Sequence, residues 1–508
     1  MAVIINEALL KKAEELKRPL KKHIVYPEKT VKIINDKNAF QELRAIADKK
    51  ISFPVTLSAG DEIIFDFNDH IVGYVSFSLD NDGLVKITDS PVKLQFSFGE
   101  FPLEITASPE EYKGGLGKGW LQNEERSYVF TPCEGSLERR YSFRYLRIKR
   151  TDNAAFPIKL SSLKVCTVSA VDIKDAPVLK TDDEILKKIY DMSIKTLKEC
   201  EQDVFEDGPK RDRRLWIGDL KLQAMSDYGI FGNLTLIKRC MYLFAGATGK
   251  HKMIAPCIFP DSPPFVDEWT FCDYSLFFIS CLYDFYKNTG DISLIEELFD
   301  TAYRQMEAVS EKIDKNTGII NLHPFIDWCP DLDKKTAILG VYIYTLKQLK
   351  ELGELLGKDN KKTEAEINTA SKLLLSFYDE KTGLFTTPSG QISEHSQVWA
   401  VLSGVLRDEQ AATLCAKIKD IKTPFTMRTP YMMHYYIEAL YTSGLKNEAL
   451  EFIKNYWGKI ADAGFDCCPE IFNPENEFES PYNAPEINSA CHAWSCTPAY
   501  WLPKLLGE

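Results

Sequence analysis

Two periodicities divide this chain. Up to about Val178, apolar and polar residues alternate; from about Lys180 onward, apolar residues recur every three or four positions. In the first part, Ile63-Ile64-Phe65-Asp66-Phe67 leads into residues 71–79, where Tyr74, Ser76 and Ser78 alternate with Val75, Phe77 and Leu79. A period of two is the mark of a half-buried strand. Residues 92–98 alternate again, residues 141–148 do so with basic residues on one face, and Asn81-Asp82-Gly83 is a turn signal. Several such strands joined by turns predict a β-sandwich over residues 1–178.

The second part reads as helices. Thr181-Asp182-Asp183-Glu184 has the form of a capping box and opens a helix carrying Ile185, Leu186, Ile189, Met192 and Leu197 on one face. Amphipathic stretches follow at 234–244, 274–286, 292–313, 336–356, 364–378, 397–405, 409–418, 431–441, 448–460 and 487–506, several of them stopped by glycine, as at Gly290, Gly357 and Gly444. Eleven or twelve helices paired through short loops predict about six helical hairpins over residues 179–508. An open α-solenoid satisfies the same pattern, since periodicity does not show whether the hairpins close into a ring.

Composition narrows the class. A chain of 508 residues with 44% hydrophobic and 27% charged residues has the make-up of a large globular protein. Its net charge of −12 argues against nucleic acid or an anionic membrane as partner. The amino-terminal stretch lacks a basic segment followed by a long apolar run, and no segment reaches the roughly 20 apolar residues of a spanning helix. Thirteen scattered cysteines, with no Cys-x-x-Cys pair and with Cys467 and Cys468 adjacent, read as reduced thiols of a cytoplasmic protein. None of the seven histidines are paired at metal-ligand spacing, so neither a catalytic metal nor another cofactor is expected. A homo-oligomer is left open.

Candidate chemistry gathers in loops. The stretch from Asp207 to Asp219, Asp-Gly-Pro-Lys-Arg-Asp-Arg-Arg-Leu-Trp-Ile-Gly-Asp, sets Asp207, Asp212 and Asp219 among Arg211, Arg213, Arg214 and Trp216. Each arginine can fork onto a carboxylate, and Trp216 offers a flat face. A salt-bridged surface loop would explain the charges alone. The pairing of acid with tryptophan recurs, however, at Asp267-Glu268-Trp269 and Asp327-Trp328. Sugar recognition uses both, with carboxylates on hydroxyls and rings on C–H faces. Asp273 reads as a helix N-cap, and Trp457 and Trp501 as core. Ser393-Glu394-His395 opens the helix of Trp399. Near the end, Glu470 lies in an apolar run, Glu475, Glu477 and Glu479 form a solvated cluster, and His492 and Trp494 begin the last helix.

The Asp207–Asp219 motif resembles the signature of glycoside hydrolase family 78, the α-L-rhamnosidases, and the stretches around Phe67, Gly73 and Arg144 resemble that family's sandwich domain. The resemblance implies an (α/α)6 toroid behind the sandwich and an inverting glycosidase acting on a carbohydrate or glycoside. It puts Asp212 in the place of the general acid, where the family usually has Glu, and Glu470 in that of the general base, with Glu486 as competitor. It assigns Asp207, Arg211, Trp216, Asp219, Asp267, Trp269, Asp327, Trp328, His492 and Trp494 to the sugar pocket. Inversion requires a water between sugar and base, and so acid and base about 6.5–9.5 Å apart. Another six-hairpin glycosidase with different sugar specificity, or a non-catalytic carbohydrate-binding protein, remains the alternative.

Overall fold

A computed structural model describes residues 4–82, 87–249, 252–260, 263–266 and 269–507. Gly83, the last residue of the turn signal, and the candidates Asp267 and Glu268 lie outside the described residues.

The sandwich domain is built on one long strand. Glu62–Asn81 pairs through its first half with Tyr141–Arg150 and through its second half with Ile158–Ser169, so the chain passes from one layer to the other without a break. Gly73 belongs to both ladders, opposite Tyr141 and Thr167, and a Cβ there would strike the Cys166 carbonyl. The alternation read in the sequence is the observed one. Val75, Phe77 and Leu79 are each 1% exposed and pack with Phe96, Phe98, Phe143 and Leu163, while Tyr74 faces solvent. The short helix Pro102–Thr106 follows the strand Val92–Gly99.

Twelve α-helices lie between Glu184 and Leu506 among the described residues. Ile217–Ile230, Cys272–Thr289, Lys335–Leu355, Glu394–Leu402, Pro430–Thr442 and Pro498–Leu506 form an inner ring, each packing on the next, the last pair through Trp501 against His434 and Tyr441. Glu184–Cys200, Leu234–Gly246, Ser293–Ser310, Lys361–Leu375, Asp408–Lys417 and Lys446–Asp462 stand outside it. The ring is closed, since Pro498–Leu506 packs on Ile217–Ile230 and Lys446–Asp462 packs on Glu184–Cys200. The open solenoid is thereby excluded. Segment Ile4–Glu15 also packs on the helical ring: Ile4 and Ile5 pair with Thr248 and Ala247, and the helix Glu7–Glu15 lies on Leu234–Gly246. No helix of the described residues is long and apolar enough to cross a membrane.

Four local readings change. The N-cap of the first outer helix is Asp183, which accepts from the Ile185 and Leu186 amides, while Thr181 only receives the Asp183 amide. Helix Ile217–Ile230 carries no visible period because it is buried almost all round. Residues 487–497 are not α-helical. They run as buried loop and single turns, and the helix starts only at Pro498, whose fixed φ suits a first helical position. Asp273 is not a cap: the cap is Phe271, and Asp273 turns inward from the first turn.

Candidate active site

The loops at one end of the inner ring enclose a cavity of about 220 Å³. Eleven of the twelve residues expected at the site line it: Asp207, Arg211, Asp212, Trp216, Asp219, Trp269, Asp327, Trp328, Glu470, His492 and Trp494. The twelfth, Asp267, lies outside the described residues. Glu486 sits in the turn Pro485–Ile487 and does not line the cavity.

Arg211 is the electrostatic centre. Its guanidinium bonds the Glu470 carboxylate and the Ile487 carbonyl (3.1 Å), lies 3.9 Å from Asp212, and covers the Tyr482 ring at 4.2 Å. The Tyr482 hydroxyl donates to the other Glu470 oxygen at 2.6 Å. Glu470 is further held by its backbone, since its amide donates to Ser489 and its carbonyl accepts from the Trp494 indole, each at 2.9 Å. Asp212 is the freer acid. It contacts Arg211 and Arg214 only at 3.9 and 3.8 Å, and its side chain is 20% exposed. Asp212 and Arg213 both have left-handed backbone, φ 60° and 52°, which is unfavourable for non-glycine residues and typical of functional turns. The three arginines do not all serve carboxylates, contrary to expectation. Arg213 donates to the Arg140 carbonyl, away from the cavity, and Arg140 Nη2 in turn reaches both oxygens of Glu206. Arg214 stacks over Phe259 at 4.2 Å.

A second group of acids surrounds His492. Asp207 accepts from the Arg214 amide (3.0 Å), and its carbonyl receives the Ala493 amide (2.7 Å), which ties the motif to the last loop. Burial and the charges of Asp212 and Asp219 push the Asp207 carboxyl well above the ordinary range. Burial and Glu470 do the same to Asp219. Burial, with Arg211 nearby, holds His492 well below the usual imidazole value, so the ring is neutral. Asp219 Oδ1, His492 Nδ1 and the Trp216 indole nitrogen are buried without a hydrogen-bond partner. Buried polar groups without partners are costly; His492 Nδ1 and Asp219 Oδ1 lie 3.5 Å apart, and all three residues line the cavity. Gly218 allows this packing: a Cβ there would lie 2.7 Å from the Tyr274 hydroxyl of the next inner helix.

Asp327 lines the cavity while its carboxylate is held within the protein. Both its oxygens are filled by protein donors: the Trp328 amide (2.8 Å), Thr429 Oγ1 (2.6 Å), the Arg428 amide (2.8 Å) and His395 Nε2 (2.7 Å). It fixes the loop that presents Trp328. Asp273 grips the same loop, accepting from the Phe325 and Ile326 amides at 2.9 and 2.8 Å, and Ile326 has φ 55°. Trp216 and Trp269 meet at 5.7 Å between ring centres, while Trp269 and Trp328, 40% and 41% exposed, form the rim. Sequence reasoning missed Phe271, Tyr274, His323, Phe325, Lys334 and Tyr482, which also line the cavity. Phe325 lies two residues before Asp327, a nearness in sequence that could have signalled it; Tyr482 has no such neighbour.

The sandwich domain braces the site from behind. Lys210 reaches Glu104 at 2.8 Å and the Asn488 carbonyl at 2.6 Å, and Glu100 accepts the Ala490 amide at 2.6 Å.

Comparison with known proteins agrees with this architecture. The family model described as the glycosyl hydrolase family 78 alpha-rhamnosidase N-terminal domain matches residues 27–167, and that of the bacterial alpha-L-rhamnosidase 6 hairpin glycosidase domain matches residues 174–506. Among solved structures, a rhamnosidase from Klebsiella oxytoca with rhamnose bound is 35% identical, with TM-score 0.94 and both chains covered completely. A family 78 rhamnosidase of Bacillus sp. GL1 is 20% identical, with TM-score 0.73 over 92% of this chain and 50% of that one. The Streptomyces avermitilis alpha-L-rhamnosidase complexed with L-rhamnose is 14% identical, with TM-score 0.66 over 96% and 44%. At these two identities the likeness shows the fold alone. No curated protein matches. With both domains matched in order, the chain belongs to glycoside hydrolase family 78, the α-L-rhamnosidases.

Proposed function

We propose that this glycosidase releases terminal L-rhamnose from glycosides or oligosaccharides with inversion, and that it works in the cytoplasm. The observation that carries the reading is the shared guanidinium. Arg211 has Glu470 on one side and Asp212 on the other, facing one cavity. Asp212, partly exposed and without a close partner, protonates the leaving oxygen. Glu470, locked by Arg211 and Tyr482, takes a proton from water as it attacks the anomeric carbon from the opposite face. Asp219, Asp207, Trp216 and His492 meet the sugar hydroxyls, and the rings of Trp269, Trp328 and Trp494 take its apolar faces. A 6-deoxy sugar carries a methyl where other hexoses carry a hydroxymethyl group, which suits a cavity walled by Phe271, Tyr274 and Phe325.

The test is proton NMR of the sugar first released from an aryl α-L-rhamnoside. The β-anomer is expected. Net retention would defeat the assignment of the two acids, failure to turn over any rhamnoside while cleaving another aryl glycoside would transfer the site to a different sugar, and binding without release would make this a sugar-binding protein.

A further inference from the structure

Behind the cavity, where the two domains meet, lies a buried group that the glycosidase chemistry does not use. His70 comes from the long strand of the sandwich, Cys200 from the end of the first outer helix, Cys467 from the segment before Glu470, and Cys491 from the loop before His492. All four are buried, and the three cysteines form one contact cluster. The ligand atoms of His70, Cys467 and Cys491 lie within 4.8 Å of one another. A tetrahedron with Zn–S of about 2.3 Å and Zn–N of about 2.0 Å has edges of roughly 3.5–3.8 Å, so a small contraction brings these three around one ion, while Cys200, in the same contact cluster as Cys467 and Cys491 but outside that trio, must turn in to become the fourth ligand.

The histidine is already prepared for a metal. Its Nε2 bonds Glu100 (3.0 Å) and Ser142 (2.9 Å), and Ser142 in turn donates to Glu100 at 2.8 Å. With the proton on Nε2, the lone pair sits on Nδ1, which is buried without a hydrogen-bond partner. A carboxylate behind a histidine is the usual outer support of a zinc ligand. We propose that His70, Cys200, Cys467 and Cys491 form a closed structural zinc site that staples the sandwich to the segments carrying Asp207, Glu470 and His492. Four protein ligands leave no open position, so the ion is not a catalyst. Binding replaces the thiol protons, and these pass to solvent. The neighbouring Cys468 turns away, to Ser193 at 3.6 Å. The site is invisible as a spacing because its ligands come from four distant segments.

The experiment uses the full chain, grown with added zinc and purified without chelator. Metal analysis should find about one zinc per chain. Cys491→Ser and His70→Ala should each lose most of it, while Cys133→Ser, on a half-buried thiol of the sandwich, keeps it. Should either ligand variant fail to fold, cobalt-loaded wild-type protein serves instead. Intense visible bands and a near-ultraviolet thiolate-to-cobalt band are expected of a tetrahedral thiolate site. Wild-type protein with less than about a tenth of a zinc per chain, an unchanged zinc content in both ligand variants, or an intact mass showing Cys467 and Cys491 joined as a disulfide would each overturn the proposal.

Discussion

Asp273→Asn tests how the rim of the cavity is held. The Asp273 carboxylate accepts from two buried amides, Phe325 at 2.9 Å and Ile326 at 2.8 Å, with no water path to replace it, since the residue is fully buried. A hydrogen bond to a charged group contributes about 1.5–3 kcal/mol. Asparagine keeps one acceptor, so one bond survives in weaker form. Its NH2 then faces an amide, leaving a buried donor unpaired at a cost of about 1–3 kcal/mol. Against this, burial raises the Asp273 carboxyl above its ordinary value, so removing the charge relieves some desolvation. A net loss of about 2–3 kcal/mol is expected. The left-handed backbone of Ile326, a β-branched residue, stores about 1–3 kcal/mol more, so the freed loop relaxes and Phe325, Asp327 and Trp328 move off their positions. The thermal midpoint should fall by several degrees. KM for an aryl α-L-rhamnoside should rise more than kcat falls, because the loop shapes the cavity and carries neither Asp212 nor Glu470. Saturating L-rhamnose should also raise the variant's midpoint less than the wild type's. A variant with unchanged midpoint and KM would refute the idea that Asp273 holds this loop.

Asp212→Asn should cost roughly 10²–10⁴-fold in kcat on unactivated rhamnosides and far less on aryl substrates with good leaving groups. A loss smaller than about tenfold on the former would move the acid elsewhere. Glu470→Gln should abolish turnover on both substrate types, since activating water does not depend on the leaving group, and azide should restore product as the glycosyl azide; activity that survives on aryl substrates would remove Glu470 as base. Asp219→Asn should raise the thermal midpoint relative to wild type more at about pH 8 than at about pH 5. The folded-state value of Asp219 is raised, so its contribution to stability is present in acid and lost as pH rises from the ordinary Asp value through the raised one, whereas asparagine loses nothing. A midpoint difference that does not change with pH would contradict the burial argument.

The parts legible in the sequence are those whose burial is one-sided. Val75, Phe77 and Leu79 alternate because only one face of their strand is covered. The outer helix Glu184–Cys200 shows its period because only one face meets the ring. The inner helix Ile217–Ile230 was invisible for the opposite reason: Lys221, Gln223 and Asp227 are buried along with its leucines, so polarity no longer marks the outside. The site residues were legible where local grammar existed, as between Asp207 and Asp219. Their partners were not. Nothing near Asp327 in sequence announces that Thr429, Arg428 and His395 fill its oxygens, and nothing near Glu470 announces the Tyr482 hydroxyl. Such contacts are made by the closing of the ring, which periodicity cannot encode.

The two acids proposed to react are also built differently, and the difference suits the work proposed for each. A general base that must hold one water against one carbon gains from rigidity. Glu470 has it, fixed at both oxygens by Arg211 and Tyr482 and at its backbone by Ser489 and Trp494. A general acid must lose its proton to the leaving oxygen and regain one from solvent in every cycle. Asp212 is suited to that, being partly exposed, with arginine contacts no closer than 3.8 Å and a strained turn beneath it. The shorter side chain departs from the family's usual Glu, and the turn is what can compensate. Left-handed backbone at 212 and 213 sends the arginine at 213 outward to Arg140 and leaves the carboxyl at 212 on the cavity wall. Asp212→Glu therefore tests the turn as much as the acid. If the backbone has been set for a short arm, the longer one overshoots the glycosidic oxygen, and kcat on unactivated rhamnosides falls while the fold and rhamnose binding persist. A fully active Glu variant would mean that the turn imposes no such fit.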